Sequence, residues 1–216
     1  MISTLVRIIK WAIVLTLPFI ALIRGAVYFH DSFGYGPWPS LLGGMSITFA
    51  ILFIYMTVFH GMFATTLGSV KAFKRRAYLA AVLILGYCIH GLFFISTSNL
   101  KNEQLHKEVR ELHPIIRVAV GTIIILDKDL VVTDAARSRQ DYNKMGLPVN
   151  ERSLHFPQKD GYVYALDLRT RERSHFRNVL LQNYFRLMGF NTLFHDGTGP
   201  HLHISMRPGK SKLKLI

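Results

Sequence analysis

Two histidines, His201 and His203, stand one residue apart in the stretch "GPHLHISM" near the carboxyl end of this 216-residue chain. In an extended strand alternate side chains share a face. Both imidazoles therefore point one way, together with Ser205, while Leu202 and Ile204 turn toward a core. The same alternation in "VYALDL" separates Asp167, Ala165 and Val163 from Tyr164, Leu166 and Leu168. A third histidine, His155 of "RSLHF", comes just before that second strand. His155, Asp167 and His203 brought to one point would form a three-ligand site that suits zinc and leaves an open position for water. An H-x-H pair on an exposed strand face is also ordinary, so spacing alone leaves both readings open. The single cysteine, Cys88, lies in an apolar run. That excludes an internal disulfide and a thiolate zinc site in the carboxyl-terminal half.

The elements that must position these residues follow from pattern. Lys101 to Leu112, "KNEQLHKEVREL", reads as a charged helical connector with little apolar face. After His113-Pro114, "VGTIIILDKDLVVTDAARS" predicts two strands in a hairpin around Asp127-Lys128-Asp129. "RSRQDYNKMGL" predicts a short helix ending near Gly146, and Gly161 to Thr170 a strand rich in β-branched and aromatic residues. "SHFRNVLLQNYFRLMGF" predicts a helix with Phe176, Leu180, Tyr184 and Leu187 on its apolar face and Gly189 as its stop. "NTLFHDGTGPHLHISM" predicts a strand, a Gly-rich turn and a final strand, and residues 208–216 a basic tail with no packing pattern. Residues 113–207 thus read as a small α+β domain with an antiparallel sheet.

The first hundred residues are different. Half of the chain is hydrophobic and its mean hydropathy is +0.25, too apolar for an ordinary soluble domain. Before residue 100 the only charges are Arg7, Lys10, Arg24, Asp31, Lys71, Lys74, Arg75 and Arg76. Leu41 to Phe63 and Tyr78 to Ile95 carry no formal charge, and each can cross about 30 Å of hydrocarbon as a helix. The first run, Trp11 to Ile23, is shorter. Extended to Phe29, it spans if Arg24 snorkels to the interface. "ALIRGAVYF" offers no small-x-small cleavage site, so a retained span is expected rather than a signal peptide. The chain therefore divides into a membrane domain over 1–100, a connector over 101–112 and the domain over 113–207. His60 and His90 lie near span ends, where a neutral imidazole bonded to a neighbouring helix is expected.

Basic residues set the orientation. Arg7 and Lys10 precede the first run, and "KAFKRR" lies between the second and third, whereas "FHDSFGYGPWPS" has neither Lys nor Arg. Basic loops stay cytoplasmic. The amino terminus is then inside, and after three crossings the carboxyl-terminal domain is outside, which in a bacterium means the outer face of the cytoplasmic membrane. That half carries 19 Lys/Arg against 12 Asp/Glu, scattered with no basic helix or aromatic-interleaved stripe. The balance fits membrane lipid or an anionic polymer, and no nucleic acid is expected. A single anchor would suffice for tethering, so three spans point to a partner protein in the membrane.

Four segments in order resemble the zinc D-alanyl-D-alanine carboxypeptidase and dipeptidase family, within the hedgehog/D,D-peptidase fold group of murein peptidases. "VVTDAARSRQDYNKMGL" is similar to the family's arginine segment, "RSLHF" to its Ser-x-His, "YALDLRT" to its Ala-x-Asp strand and "GPHLHIS" to its last motif. The resemblance covers roughly residues 113 to 207 and implies a membrane-anchored zinc peptidase acting on peptidoglycan stem peptides or cross-links. It implies His155, Asp167 and His203 as Zn2+ ligands and His201 as the catalytic base. Arg137 would bind substrate and steady the carbonyl oxygen, and Ser153 would support the first ligand. The family's His-to-Asp spacing is shorter than the twelve positions here. Either a longer turn in "FPQKDGYVY" absorbs the difference, or His155 is displaced and His195 or His175 takes its place. In the second case the domain would bind zinc or wall peptides without catalysis.

Overall fold

A computed structural model describes residues 2–63, 69–197 and 199–209. Most of the basic tail (residues 210–216), Thr198 of the Gly-rich turn and the side chain of His60 lie outside the described residues. The chain is α+β. Three long amino-terminal helices, α1 (Ile2–Phe33), α2 (Pro37–Phe63) and α3 (Val70–Phe93), precede α4 (Leu105–Glu111) and α5 (Pro114–Leu126). Then follow β1 (Val132–Asp134), α6 (Arg139–Lys144), β2 (Ala165–Arg169), α7 (His175–Met188), β3 (Asn191–His195) and β4 (His201–Ser205). Among the described residues three stretches are long and apolar enough to cross a membrane, Thr4–Phe33, Pro37–Phe59 and Val70–Phe93. Few of their residues are buried within the chain, which is what a lipid-facing bundle leaves exposed.

The four strands form one antiparallel sheet in the order β1-β2-β4-β3. Leu166, Leu168, Leu202 and Ile204 on its inner face are completely buried. The alternation expected from the sequence therefore holds on β2 and β4.

The predicted hairpin is not there. Its first arm is α5, an apolar helix with ten of its thirteen residues buried. His113 caps it by accepting the Ile115 N–H on Nδ1, and Pro114 begins it, a combination that starts helices well. A short apolar, β-branched run carries no periodicity to tell strand from helix, and here packing overrides local preference. Gly121 of α5 meets Gly91 of α3 so closely that a Cβ on Gly121 would lie 2.8 Å from Gly91 Cα. This crossing seats the sheet-bearing half directly on the membrane bundle. Asp127, expected in the hairpin turn, instead receives Arg173 and Arg177 from the start of α7.

Two further expectations change. α7 ends at Gly189, whose φ of 99° suits the left-handed stop. However, its buried stripe is Leu181, Phe185 and Met188; of the predicted face, Tyr184 packs against the core and donates to Ala119 O of α5, while Phe176, Leu180 and Leu187 are exposed. The helix has two apolar stripes, and its contact with α1 and α5 buries the one that the sequence reading passed over. The connector is also less independent than its charges imply. Leu105, Val109 and Leu112 are buried, and isolated bridges join Leu100 to Val132 and Leu112 to Val163.

Further ties join the two halves. Arg24 of α1 lies against Gly189, at the carboxyl end of α7, where a cation meets the helix dipole favourably. His30 ring nitrogens lie 3.0 Å from the carbonyls of Tyr35 and Arg207, joining the end of α1 to the segment after β4.

Candidate metal centre

The site begins with a cross-strand pair. Asp167 on β2 faces His203 on β4 in register, and Asp167 Oδ1 lies 2.8 Å from His203 Nδ1. His155 completes the group from the loop before β2. Its Nε2 is 3.3 Å from His203 Nδ1 and 3.4 Å from Asp167 Oδ1. His155 and Asp167 are each only 4% exposed.

The long His-to-Asp spacing is absorbed in the way the first alternative required. Gln158 N–H donates to Tyr162 O, and Gly161 N–H to Gln158 O, each at 2.8 Å. These bonds close a turn over residues 158–162. Leu154 and Tyr164 on its two sides then meet through the Tyr164 N–H to Leu154 O bond. His155 stays in the group, which includes neither His195 nor His175.

The ring of His155 is fixed from behind. Its Nδ1–H donates to Ala135 O at 2.7 Å, which leaves Nε2 bare and aimed at the other two donors. Such a bond from the far ring nitrogen is how ligating histidines are oriented. The backbone answers in kind, since Arg137 N–H donates to His155 O at 2.8 Å. Ser153 Oγ accepts the His155 N–H at 3.3 Å. It thus braces the loop at His155, and no bond from its hydroxyl to another site residue is seen among the described residues.

Arg137 and His201 flank the group. Arg137 Nε donates to Asp134 Oδ2 at 2.7 Å, and its Nη2 lies 3.5 Å from Asp167 Oδ2. Burial disfavours the guanidinium charge, but Asp134 outweighs it and holds the group above its usual range. His201 Nδ1–H donates to Gly199 O at 2.8 Å, so in the neutral ring Nε2 is the free base. That nitrogen is 3.6 Å from Asp167 Oδ2, on the opposite carboxylate oxygen from the one facing His155 and His203.

Asp167 is therefore the hub. Burial alone would raise its pKa, but the imidazoles of His155, His203 and His201 around it reverse this and hold the carboxyl well below its usual range. Behind the arginine segment, burial and the charges of Asp134 and Asp141 push Glu108 of α4 up to about 7.

The donor set fits a tetrahedral ion. Ligand atoms at 2.0–2.1 Å from such an ion are separated by about 3.3 Å. Two of the three separations match, and the third is shorter by about the difference between a ligand edge and a hydrogen bond. A proton between His203 Nδ1 and Asp167 Oδ1 accounts for that contact, and a cation would replace it. Among the described residues this is a His/Asp/His group that could hold a metal ion.

A cleft of about 500 Å³ opens beside it, lined by Lys101, Asp134, Arg137, Asp167, Arg169 and His201 among others. Arg169 was legible but missed. It is two residues past Asp167 on the same face of β2, and it faces His201 in register. Among the described residues its side chain has no ion-pair or hydrogen-bond partner. Lys101 reaches the cleft from the connector, for which no local signal exists. His195, named above as a substitute ligand, instead stacks on His201 with ring centroids 4.8 Å apart.

Fold and site together define a protein with three helices fit to span a membrane, carrying a small antiparallel sheet with a candidate metal centre at its face. Comparison of the chain with protein-family models, with curated proteins and with solved structures gave no match.

Proposed function

We propose that the protein is a membrane-anchored zinc peptidase with a hedgehog/D,D-peptidase-like domain, hydrolysing peptide bonds of peptidoglycan stem peptides or cross-links. The observation that carries this reading is the near-tetrahedral spacing of His155 Nε2, Asp167 Oδ1 and His203 Nδ1. Two imidazoles and one carboxylate with an open fourth position favour zinc over harder cations. Bound there, zinc would polarise a substrate carbonyl and make water nucleophilic near neutral pH.

The surrounding residues supply the rest. His201, with its free Nε2, takes a proton during attack and returns it to the leaving amine. Arg137 donates to the charge that develops on the carbonyl oxygen. Arg169, unpaired in the cleft, meets a carboxylate of the peptide, which a planar guanidinium does well. Full-length protein loaded with one equivalent of zinc should release D-alanine or a dipeptide from muropeptides, or open their cross-links. A chelator should stop the reaction and zinc restore it. Absence of any cleavage by zinc-loaded protein would refute the catalytic reading.

The orientation belongs to the same reading. Lys71, Lys74, Arg75 and Arg76, in the first two turns of α3, make the densest basic cluster at the end of a span, so the domain lies on the outer face of a bacterial cytoplasmic membrane, where wall peptides are. A reporter fused after Ile216 should work only if it is active outside the cytoplasm. Activity of a cytoplasm-only reporter would reverse the topology and remove the substrate.

One observation favours a binding-only alternative, a zinc- or wall-peptide-binding protein of an envelope assembly. Arg137 already spends its Nε and Nη2 on Asp134 and Asp167, which leaves fewer of its donors and less of its charge for a substrate. Tight zinc without cleavage would select that alternative.

A further inference from the structure

At the junction of membrane bundle and sheet, a guanidinium is buried without a counter-ion. Arg117, in the first turn of α5, is 8% exposed. Its Nη1 donates to Arg110 O at 3.1 Å and its Nη2 to Leu92 O at 2.6 Å. Its Cζ lies 5.6 Å from the centroid of the Phe93 ring. Among the described residues it pairs with no carboxylate. Two carbonyls and a ring face satisfy donors but leave a full charge uncompensated, an arrangement that a partly dry site does not tolerate cheaply. Burial accordingly lowers the pKa of this guanidinium, and the charge of Arg110 beside it adds to the effect.

The surroundings indicate what compensates it. A cleft of about 400 Å³ is lined by His106, Arg110 and Arg117 together with Phe93, Leu100 and Val109, and no acidic residue lines it. The cleft sits at the carboxyl end of α3, where Phe93 and Phe94 are both exposed. The end of a helix long enough to span the hydrocarbon lies at the level of the lipid headgroups. Basic groups on an apolar lining, at that depth, match a phosphate joined to acyl chains better than they match a soluble anion.

We propose that the cleft between α3, α4 and α5 binds the headgroup phosphate of an anionic phospholipid, with Arg117 and Arg110 as its cationic partners and the Phe93 side as the seat of the proximal acyl chain. The inference rests on α3 as a membrane span and not on the peptidase reading. The bound lipid would complete the electrostatics of the joint and fix the height of the sheet, and with it the metal centre, above the bilayer.

The test uses full-length protein, delipidated in detergent and titrated with phosphatidylglycerol or with phosphatidylcholine of the same chains, with bound lipid counted by native mass spectrometry. Phosphatidylglycerol should bind roughly tenfold more tightly. Arg110→Gln, an exposed change, should weaken it about fivefold, the effect of one basic residue at an anionic surface. Lys107→Gln, exposed on the same helix but outside the cleft, should leave it unchanged. Arg117→Gln should abolish the preference between the two lipids; if that variant does not fold, the contrast between Arg110→Gln and Lys107→Gln decides. Equal affinity for the two lipids, or equal losses in those two variants, overturns the proposal. Displacement of the lipid by inorganic phosphate at matching concentration would overturn the lipid assignment in favour of free phosphate.

Discussion

Full-length protein carrying His203→Ala will fail to retain zinc through gel filtration, whereas the parent will retain it. His203 Nδ1 is within 3.3 Å of both other donor atoms, so its removal takes away one of three ligands and leaves a pair that holds an ion poorly. The loss should exceed the roughly 10–100-fold drop in affinity that follows removal of an outer-shell partner. Ser153→Ala gives the internal comparison. Its hydroxyl touches only the His155 backbone N–H, and its loss should fall within that smaller range. Zinc content by mass spectrometry and competition with a chromogenic chelator read both. Equal retention of zinc by parent and His203→Ala would remove His203 from the ligand set.

His201→Ala will behave oppositely, keeping zinc while losing most peptide cleavage. The ring is the cross-strand neighbour of Arg169 and lies on the Oδ2 side of Asp167, away from the three converging donors. Its Nε2 is unencumbered because Nδ1 is spent on Gly199 O. A lost acid-base group costs about 10²–10⁴-fold in rate, or roughly 3–5 kcal/mol of barrier. Arg137→Ala should also keep zinc but weaken substrate binding and turnover together. Loss of zinc from His201→Ala as readily as from His203→Ala would exchange the base and ligand roles. An undiminished rate would leave His201 with no catalytic part.

How much of this was legible in the sequence depended on what each residue interacts with. The three spans were visible as apolar runs of about bilayer length, although their helices continue through flanking charges, α1 over Arg7 and Lys10 and α3 over Lys71 to Arg76. The partnership of Asp167 and His203 was visible as two period-2 strands, each with a clean inner face of leucine or isoleucine. α5 was not visible, since its apolar run has no polar stripe to show a helical period, even in the last turn where Ile125 and Leu126 are exposed. The exposed face of α7 was misassigned because Phe176, Leu180 and Leu187 have the same spacing as a core stripe. Nothing local indicated that Leu181, Phe185 and Met188 would be the buried residues, with Tyr184 alone of the predicted face reaching α5. The place of His155 could not be read from spacing either. It depends on the closed turn over 158–162 and on Ala135 O, a backbone group twenty residues away.

The central claim is that His155, Asp167 and His203 hold one metal ion. X-ray absorption at the zinc edge, on full-length protein loaded with one equivalent, tests it most directly. The expected spectrum of the parent is a four-coordinate shell at about 2.0–2.2 Å with the outer-ring scattering of two imidazoles, a signal that His203→Ala, which does not keep its zinc, should lose. A six-oxygen shell without imidazole scattering, or a spectrum unchanged by His203→Ala, would contradict it.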